Sequence, residues 1–193
     1  LNRYGLLAVT GADARAFLHA QLTNDIENLP PERAALAGWC TAKGRLLASF
    51  LVIPAPAGFL LQPARDLAPP GAKRLSMYRL RSKVEVADAS AGLAVSAAFG
   101  DGALGALGLP VDAGAARALE GGVVYVDPRR AAAGARAILP QDRRLPLPET
   151  SPEHFRLVSL LLADPRPLVG DEQARGTAPI LLAFLRDVAE LLA

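Results

Sequence analysis

The sequence has few of the residues that build metal centres and covalent cross-links. Among its 193 residues it holds one cysteine, Cys40, and two histidines, His19 and His154, which lie far apart in the chain. A single cysteine cannot form an intramolecular disulfide, and these three residues do not have the spacing of zinc ligands. Such cysteine usage is typical of a reducing compartment, so we expect a cytoplasmic protein.

Aromatic residues and net charge are also low. Aromatics make up 5% of the chain, and its formal net charge is +2. Proteins that bind nucleic acid usually present a strong positive field or several rings on which bases stack. We therefore expect no nucleic-acid partner.

No apolar run in the sequence is long enough to cross a membrane. The longest, LLASFLVI at 46–53 and ILLAFL at 180–185, are far shorter than the roughly 20 residues that a membrane helix needs. The chain also begins without the basic segment and apolar core of a signal peptide. With 51% apolar residues it can bury a sizeable core, and we expect a soluble globular protein.

The first 90 residues alternate between strand and helix patterns. LLAVT at 6–10 predicts a strand, and GADARAFLHAQL at 11–22 predicts an amphipathic helix that Thr10 and Asp13 cap. Apolar stretches on both sides of TAKG at 41–44 predict a hairpin. Further predicted elements are a strand after Gly58, a helix from Pro69–Pro70 to Tyr78 and a strand at 83–88. This order is typical of an α+β layer with helices on one sheet face.

A looser form of the same pattern occurs after residue 90. We expect a strand at 93–99, a weak helix at 100–109 and a hairpin formed by 123–127 and 134–139. The sequence therefore predicts two related α+β subdomains, 1–90 and 91–165, with mixed or antiparallel sheets. Residues 166–193 are expected to form a terminal helix or the remnant of a barrel domain.

Cys40 stands close to a Lys-Gly-Arg turn in the segment GWCTAKGRLLASF at 38–50. A reactive thiolate needs a cationic, partly exposed site, whereas Cys40 lies in an apolar strand pattern, so we interpret it as a packed residue. Lys43 and Arg45 have two open interpretations. They form a solvated turn, or Gly44 lets the backbone approach a ligand while the two cations hold an anionic group.

Other charged residues carry weaker signals. Arg79, Arg81 and Lys83 alternate at the start of a predicted strand, which predicts a basic stripe that is either solvated or in contact with a carboxylate ligand. Asp25 comes after the first helix and is interpreted as a hydrogen-bonding group at the helix end. The sequence contains no Walker loop and no GxSxG motif, so no catalytic residue is assigned.

Three segments give the sequence a family resemblance. VTGADARAFLHAQLTNDIENL, AGWCTAKGRLLASFLV and KRLSMYRLRSKVEV occur in this order within residues 4–88. They resemble the amino-terminal half of folate-binding proteins of the YgfZ type, which are related to the glycine cleavage T protein. Further on, FRLVSLLLADPRP is similar to the family segment that leads out of the second subdomain. The resemblance implies an α+β body that binds tetrahydrofolate in a channel. It also implies a role in the assembly or repair of iron–sulfur proteins, which would be the partners of this protein.

The resemblance also implies which residues contact the folate. Family aromatics that line the folate site fall at Tyr4 and Phe155, and each keeps a flat ring that can pack against a pterin. The Lys43-Gly44-Arg45 turn and the Asn24–Asp25 pair match family motifs. The expected folate-binding residues are therefore Tyr4, Phe155, Asn24, Asp25, Lys43 and Arg45.

Two family features are missing from this sequence. The hallmark Lys-Gly-Cys-x-x-Gly-Gln-Glu segment does not occur, and Cys40 falls at a different family position. GDEQARGT at 170–177 is similar to the family segment on the carboxy-terminal side of that hallmark. Two interpretations stay open: the chain is a truncated relative, or its sequence omits the segments that carry the hallmark and most of the carboxy-terminal barrel. The related transferases carry an Asp-Asp pair where this chain has Ala48 and Ser49, which cannot ionise. We therefore expect a folate-binding accessory protein, with aminomethyl transfer and a folate-independent scaffold as the alternatives.

Overall fold

The computed structural model describes residues 3–100 and 102–147. The chain divides into two compact units, Leu1–Ser159 and Leu160–Ala193. The described residues all belong to the first unit. The predicted site residue Phe155 and the predicted carboxy-terminal helix or barrel remnant lie outside the described residues. Within 3–100 and 102–147, no helix is long and apolar enough to span a membrane.

The described residues form antiparallel sheets and short helices. Every strand pair is antiparallel, so the predicted α+β class is confirmed with antiparallel sheets. In chain order the elements are β1 Leu7–Thr10, α1 Ala14–Gln21, β2 Ala35–Cys40, β3 Leu46–Ala55, β4 Gly58–Gln62, α2 Ala68–Met77, β5 Glu85–Asp88, β6 Leu93–Ala98, α3 Ala103–Ala106, β7 Ala116–Leu119, β8 Gly122–Val126 and β9 Ala135–Pro140.

The first sheet has the strand order β2-β3-β4-β1-β5. Its side chains alternate between two faces, as the pleat of a strand requires. On β3, Phe50 and Val52 pack into the core that α1 and α2 cover, whereas Leu51 and Ile53 point to the opposite face. The predicted placement of helices on one face of this sheet is therefore confirmed.

The second sheet has the order β6-β9-β8-β7 and covers the face of the first sheet that lies away from α1 and α2. Leu51 and Ile53 of the first sheet share a core with Tyr125 and Ile138 of the second, and three of these four side chains are fully buried. The other face of the second sheet packs against residues of α3 and the segment after it. The division into two domains at residue 90 stays a prediction, because the two sheets share this core.

Two local predictions are wrong. Thr10 is the last residue of β1 and α1 begins only at Ala14, so Thr10 and Asp13 form no capping box. The Asp13 carboxylate instead accepts a hydrogen bond from the Lys83 N–H at 2.7 Å. The predicted basic stripe is also absent, because residues 79–83 form a turn and β5 begins at Glu85. Charged residues at alternate positions fit a turn as well as a strand.

Candidate functional site

Tyr4 lies at the edge of the layer between the two sheets. It pairs with Ala64, just beyond β4, in an isolated bridge, and its half-buried side chain packs against the core between the sheets. The guanidinium carbon of buried Arg136 lies 4.6 Å from the centroid of the Tyr4 ring, and that of exposed Arg3 lies 5.4 Å away. The ring is therefore held beside two cations, in the geometry of cation–π contacts.

A group of buried polar residues, here called the intersheet polar cluster, adjoins Tyr4. Strand register brings them together: Tyr125 is opposite Arg136 on β8 and β9, and Gln62 at the end of β4 is opposite Leu51. Gln62, Asp127 and Arg136 are each at most 4% exposed. The cluster consists of Tyr4, Gln62, Tyr125, Asp127, Arg129 and Arg136.

Hydrogen bonds and ion pairs join the members of this cluster. The Asp127 carboxylate accepts from the Arg129 Nε at 2.8 Å and lies 3.1 Å from the Arg136 Nη2. Arg136 Nη2 also donates to the Tyr4 hydroxyl at 3.3 Å, and the Tyr125 hydroxyl donates to Gln62 Oε1 at 2.5 Å. Two buried donors, Gln62 Nε2 and Arg136 Nη1, have no hydrogen-bond partner among the described residues. The cluster thus has donor capacity that its own acceptors do not use.

Burial and the neighbouring guanidinium groups shift the pKa values of this cluster in opposite directions. Burial raises the pKa of Asp127, but the hydrogen bond from Arg129 and the charge of Arg136 outweigh burial and hold it below its ordinary value. Burial likewise raises the pKa of Tyr4, yet the charge and hydrogen bond of Arg136, with Arg3, lower it overall. For Tyr125, burial raises the pKa above its ordinary value. Two guanidinium groups therefore face one ionised carboxylate.

Asn24 and Asp25 lie in the turn after α1, beside the edge strand β2. The Asn24 side chain donates to the Leu36 carbonyl at 2.8 Å, and Asp25 accepts a bond of 2.8 Å from the Asn28 side chain. That bond is the main reason why the pKa of Asp25 lies below its ordinary value. Strands β2, β3 and β4 stand between this turn and Tyr4 in the sheet. The structure therefore gives this pair local contacts and does not bring it to the Tyr4 ring.

The Lys43-Gly44-Arg45 turn forms the tip of the β2–β3 hairpin, as predicted. Because Leu51 is opposite Gln62 and β3 begins at Leu46, the hairpin extends beyond β4 by roughly 16 Å at about 3.3 Å per residue. It does so at the end of the sheet where Tyr4 lies. Lys43 and Arg45 are exposed, and no carboxylate among residues 3–100 and 102–147 pairs with them.

Gly44 is needed for the shape of this tip. Its φ is +78°, and a Cβ placed there would meet nothing within 4 Å, so the penalty of a side chain is conformational rather than steric. We expect Gly44→Ala to lower the free energy of unfolding by about 1–2 kcal/mol, measured by urea denaturation. Gly44→Asn is the control and should lose less, because Asn tolerates left-handed backbone better. Equal stability of the Ala variant and the parent would contradict this account.

Cys40 and the positions of the family Asp pair lie on the same hairpin. Cys40 is half-buried at the end of β2, where the register shifts between Trp39 and Cys40. Ala48 is buried on the helix side of β3, whereas Ser49 is exposed on the opposite face. Neither residue can ionise, so no carboxylate stands where the related transferases have theirs.

A shallow, open depression of about 680 Å³ lies elsewhere, at the turn after α2. It is lined by Asp13, Leu80, Arg81 and Ser82, and none of the predicted folate-binding residues is among them. In the part of the chain that the structure describes, no group of three or more His, Cys, Asp or Glu residues could hold a metal ion.

The sequence patterns did not identify Arg136, Asp127 and Gln62 as site residues. Their positions lie in segments that were predicted only as strands, and their partners are distant in the chain. One signal was present: GARAIL places a charged residue inside an otherwise apolar strand, and a buried arginine requires partners.

Comparisons with known proteins support the resemblance seen in the sequence. The chain is 28% identical over 132 residues to the tRNA-modifying protein YgfZ of Vibrio vulnificus, covering 67% of this chain and 40% of that protein. It is 30% identical over 87 residues to the tRNA-modifying protein YgfZ of Escherichia coli O157:H7, covering 45% of this chain and 27% of that protein. An uncharacterised protein of Haemophilus influenzae is 34% identical over 85 residues, 44% of this chain and 30% of that protein. The chain therefore spans less than half the length of each of these relatives.

A solved structure shows the same fold. The crystal structure of glycine cleavage system aminomethyltransferase T from Bartonella henselae matches with a TM-score of 0.59 at 18% identity, over 71% of this chain and 40% of that chain. No family model matches the sequence. The resemblance to YgfZ-type proteins and to the fold of the glycine cleavage T protein is confirmed.

Proposed function

We propose that this chain is the tetrahydrofolate-binding part of a YgfZ-type accessory protein that supports iron–sulfur cluster assembly or repair. The similarity to proteins named tRNA-modifying protein YgfZ and the fold shared with an aminomethyltransferase support the folate-binding part of this function. The iron–sulfur role follows from the family resemblance of the sequence alone. The observation that carries the folate-binding part is the Tyr4 ring, held by Arg136 where the two sheets meet.

The surroundings of Tyr4 suit a reduced pterin. Arg136 is buried and fixed by Asp127, so it holds one side of the contact in place. Arg3 is exposed, and its guanidinium carbon lies 5.4 Å from the centroid of the Tyr4 ring. The unused donors of Gln62 and Arg136 are buried beside Tyr4, so they bind a carbonyl or carboxylate oxygen of the ligand only where the layer between the sheets opens to admit it.

We assign the acidic tail of the folate to the hairpin tip. The tail carries carboxylates, and Lys43 and Arg45 are exposed cations at the end of the sheet where Tyr4 lies. A guanidinium group can bind a carboxylate through two hydrogen bonds, which favours Arg45 as the stronger contact. In the proposed mode, the ring packs at Tyr4 and the tail extends along the face of β3 that carries Ser49.

The same geometry argues against aminomethyl transfer. That reaction needs a carboxylate to position and polarise the folate nitrogen, and Ala48 and Ser49 supply none. Ala48 is 7% exposed within the core on the helix side, so a carboxylate at that position would be costly to bury. The proposal is therefore folate binding without transfer.

Calorimetric titration of the full chain with tetrahydrofolate tests the proposal. We expect the heat of binding to saturate as tetrahydrofolate is added. Two fragments should bind more weakly: a tetrahydropterin that lacks the tail, and p-aminobenzoylglutamate, which lacks the pterin. Calorimetry is preferable to Trp39 emission, because Trp39 faces the helices rather than the Tyr4 side. Absence of saturable binding would reject the folate function and leave the scaffold interpretation. Formation of methylene-tetrahydrofolate from an aminomethylated carrier protein would show that our exclusion of transfer is wrong.

A further inference from the structure

Residues 77–83, the last residue of α2 and the turn that follows it, expose three large apolar side chains. The exposed fractions are 70% for Met77, 47% for Tyr78 and 88% for Leu80. Single exposed apolar residues are common on soluble proteins, whereas several in one short segment often mark an interaction site. Met and Tyr are also enriched at protein–protein interfaces.

Cations alternate with these apolar residues. Arg79, Arg81 and Lys83 are all exposed, and none of them forms an ion pair with a carboxylate in the described ranges. The surface of the turn therefore combines apolar groups with three exposed cations, and the Asp13 carboxylate lies beside them, bonded to the Lys83 N–H. A complementary partner would present carboxylates beside an apolar side chain.

The turn has a defined conformation, held by several hydrogen bonds. The Ser82 N–H donates to the Arg79 carbonyl at 2.7 Å, and the Lys83 N–H donates to the Asp13 carboxylate at 2.7 Å. Within this frame Leu80 has φ +45°, a left-handed conformation that costs a residue with a side chain about 1–2 kcal/mol. Strain of this kind is concentrated at functional segments. The left-handed conformation of Leu80 places its side chain in solvent.

The open depression lies beside this leucine. Leu80 and Arg81 form part of its wall, together with Ser82 and Asp13. An apolar side chain of a partner can therefore enter it next to Leu80 while carboxylates around that side chain reach the exposed cations. A pocket that receives one anchor residue is a common centre of a protein interface.

We propose that the turn at 77–83 is a docking surface for a partner protein, which presents an acidic segment with at least one large apolar side chain. A protein fits better than a nucleic acid, because the exposed aliphatic side chains of Met77 and Leu80 suit an apolar anchor residue rather than stacked bases. Tyr4 packs between the sheets, whereas this turn ends a helix on the opposite side of the first sheet. Docking here leaves the proposed folate site accessible.

Site-specific photocrosslinking in the source cells tests this docking surface. A benzoylphenylalanine residue replaces Leu80 in the full chain, and a matched control replaces Val111, which is 82% exposed and lies between α3 and β7. We expect a discrete protein adduct from position 80 alone, with the crosslinked peptide rich in Asp and Glu around an apolar residue. No adduct, the same adduct from both positions, a nuclease-sensitive adduct or a second copy of this chain would overturn the proposal.

Charge reversal supplies a second readout. We expect Arg79→Glu/Arg81→Glu to reduce the adduct from position 80 at least about tenfold, while the circular dichroism spectrum, the Tm and the heat of tetrahydrofolate binding stay unchanged. An adduct that survives this change in a folded variant would contradict the role of the cations. Because the folate titration is measured separately, failure of this proposal and failure of the proposed function are distinguishable.

Discussion

Asp127→Asn is expected to lower the free energy of unfolding by about 3–5 kcal/mol. Asp127 is 1% exposed and faces the guanidinium groups of Arg129 and Arg136. Arg129 is half exposed and can turn to water, whereas Arg136 would stay buried without a counter-charge. Chemical denaturation of the parent and the variant near neutral pH, monitored by the emission of Trp39, measures the loss.

Two variants control for a general effect of removing charge. Asp112→Asn breaks the ion pair that Arg33 forms at 2.6 Å, but this pair is exposed, so we expect a much smaller loss. The double variant Asp127→Leu/Arg136→Met removes both buried charges and should be more stable than Asp127→Asn, since no buried charge is left unpaired. Equal losses from Asp127→Asn and Asp112→Asn would contradict the argument.

The pH dependence of stability gives an independent reading of Asp127. Because its folded-state pKa lies below the ordinary value of 3.8, its contribution is present above that pH and is lost as pH falls through the folded-state pKa. The stability difference between the parent and Asp127→Asn should therefore be constant near neutral pH. It should shrink as the pH drops below about 3.8, where the carboxyl group gains a proton first in the unfolded state and then, at lower pH, in the folded state.

Tyr4→Ala is expected to weaken tetrahydrofolate binding at least about tenfold, which corresponds to about 1.4 kcal/mol. The substitution removes the ring that we assign to the pterin, and aromatic contacts contribute about 0.5–1.5 kcal/mol beyond the burial of their area. It also removes the ring beside which Arg136 is held. The dissociation constant from calorimetry is the measured quantity.

Two control variants, Tyr4→Phe and Tyr78→Ala, accompany this experiment. Tyr4→Phe keeps the ring and loses only the hydroxyl that accepts the 3.3 Å bond from Arg136, so its affinity should stay within about threefold of the parent. Tyr78→Ala removes an exposed tyrosine in the turn after α2 and should leave binding unchanged. If Tyr4→Ala bound tetrahydrofolate as tightly as the parent, Tyr4 would not be part of the folate site.

Elements with local signals could be predicted from the sequence. Gly44 supplies the left-handed residue of the hairpin tip, and Pro69–Pro70 lie in the first turn of α2, as predicted. The apolar stripe of α1 identified its buried face. These signals depend on residues close in the chain, so one sequence is enough to read them.

The remaining features depend on contacts between distant residues. The sequence does not show that the Asp13 carboxylate bonds to the Lys83 N–H, and this contact replaces the capping box and shapes the turn before β5. Likewise, Arg136 and Asp127 become a site only when the second sheet packs on the first. Tyr4 was identified by family resemblance, and its cationic partner was not identified by any local pattern.

The position of Tyr4 also has a thermodynamic consequence. Its backbone bridges to Ala64 beside the first sheet, while its side chain contacts Arg136 of the second. A small molecule that binds at this ring therefore stabilises the packing of the two sheets, because its binding site forms only while the sheets are packed together. Substitutions that loosen the layers far from Tyr4 then reduce affinity without touching the ligand, and saturating ligand offsets part of their damage.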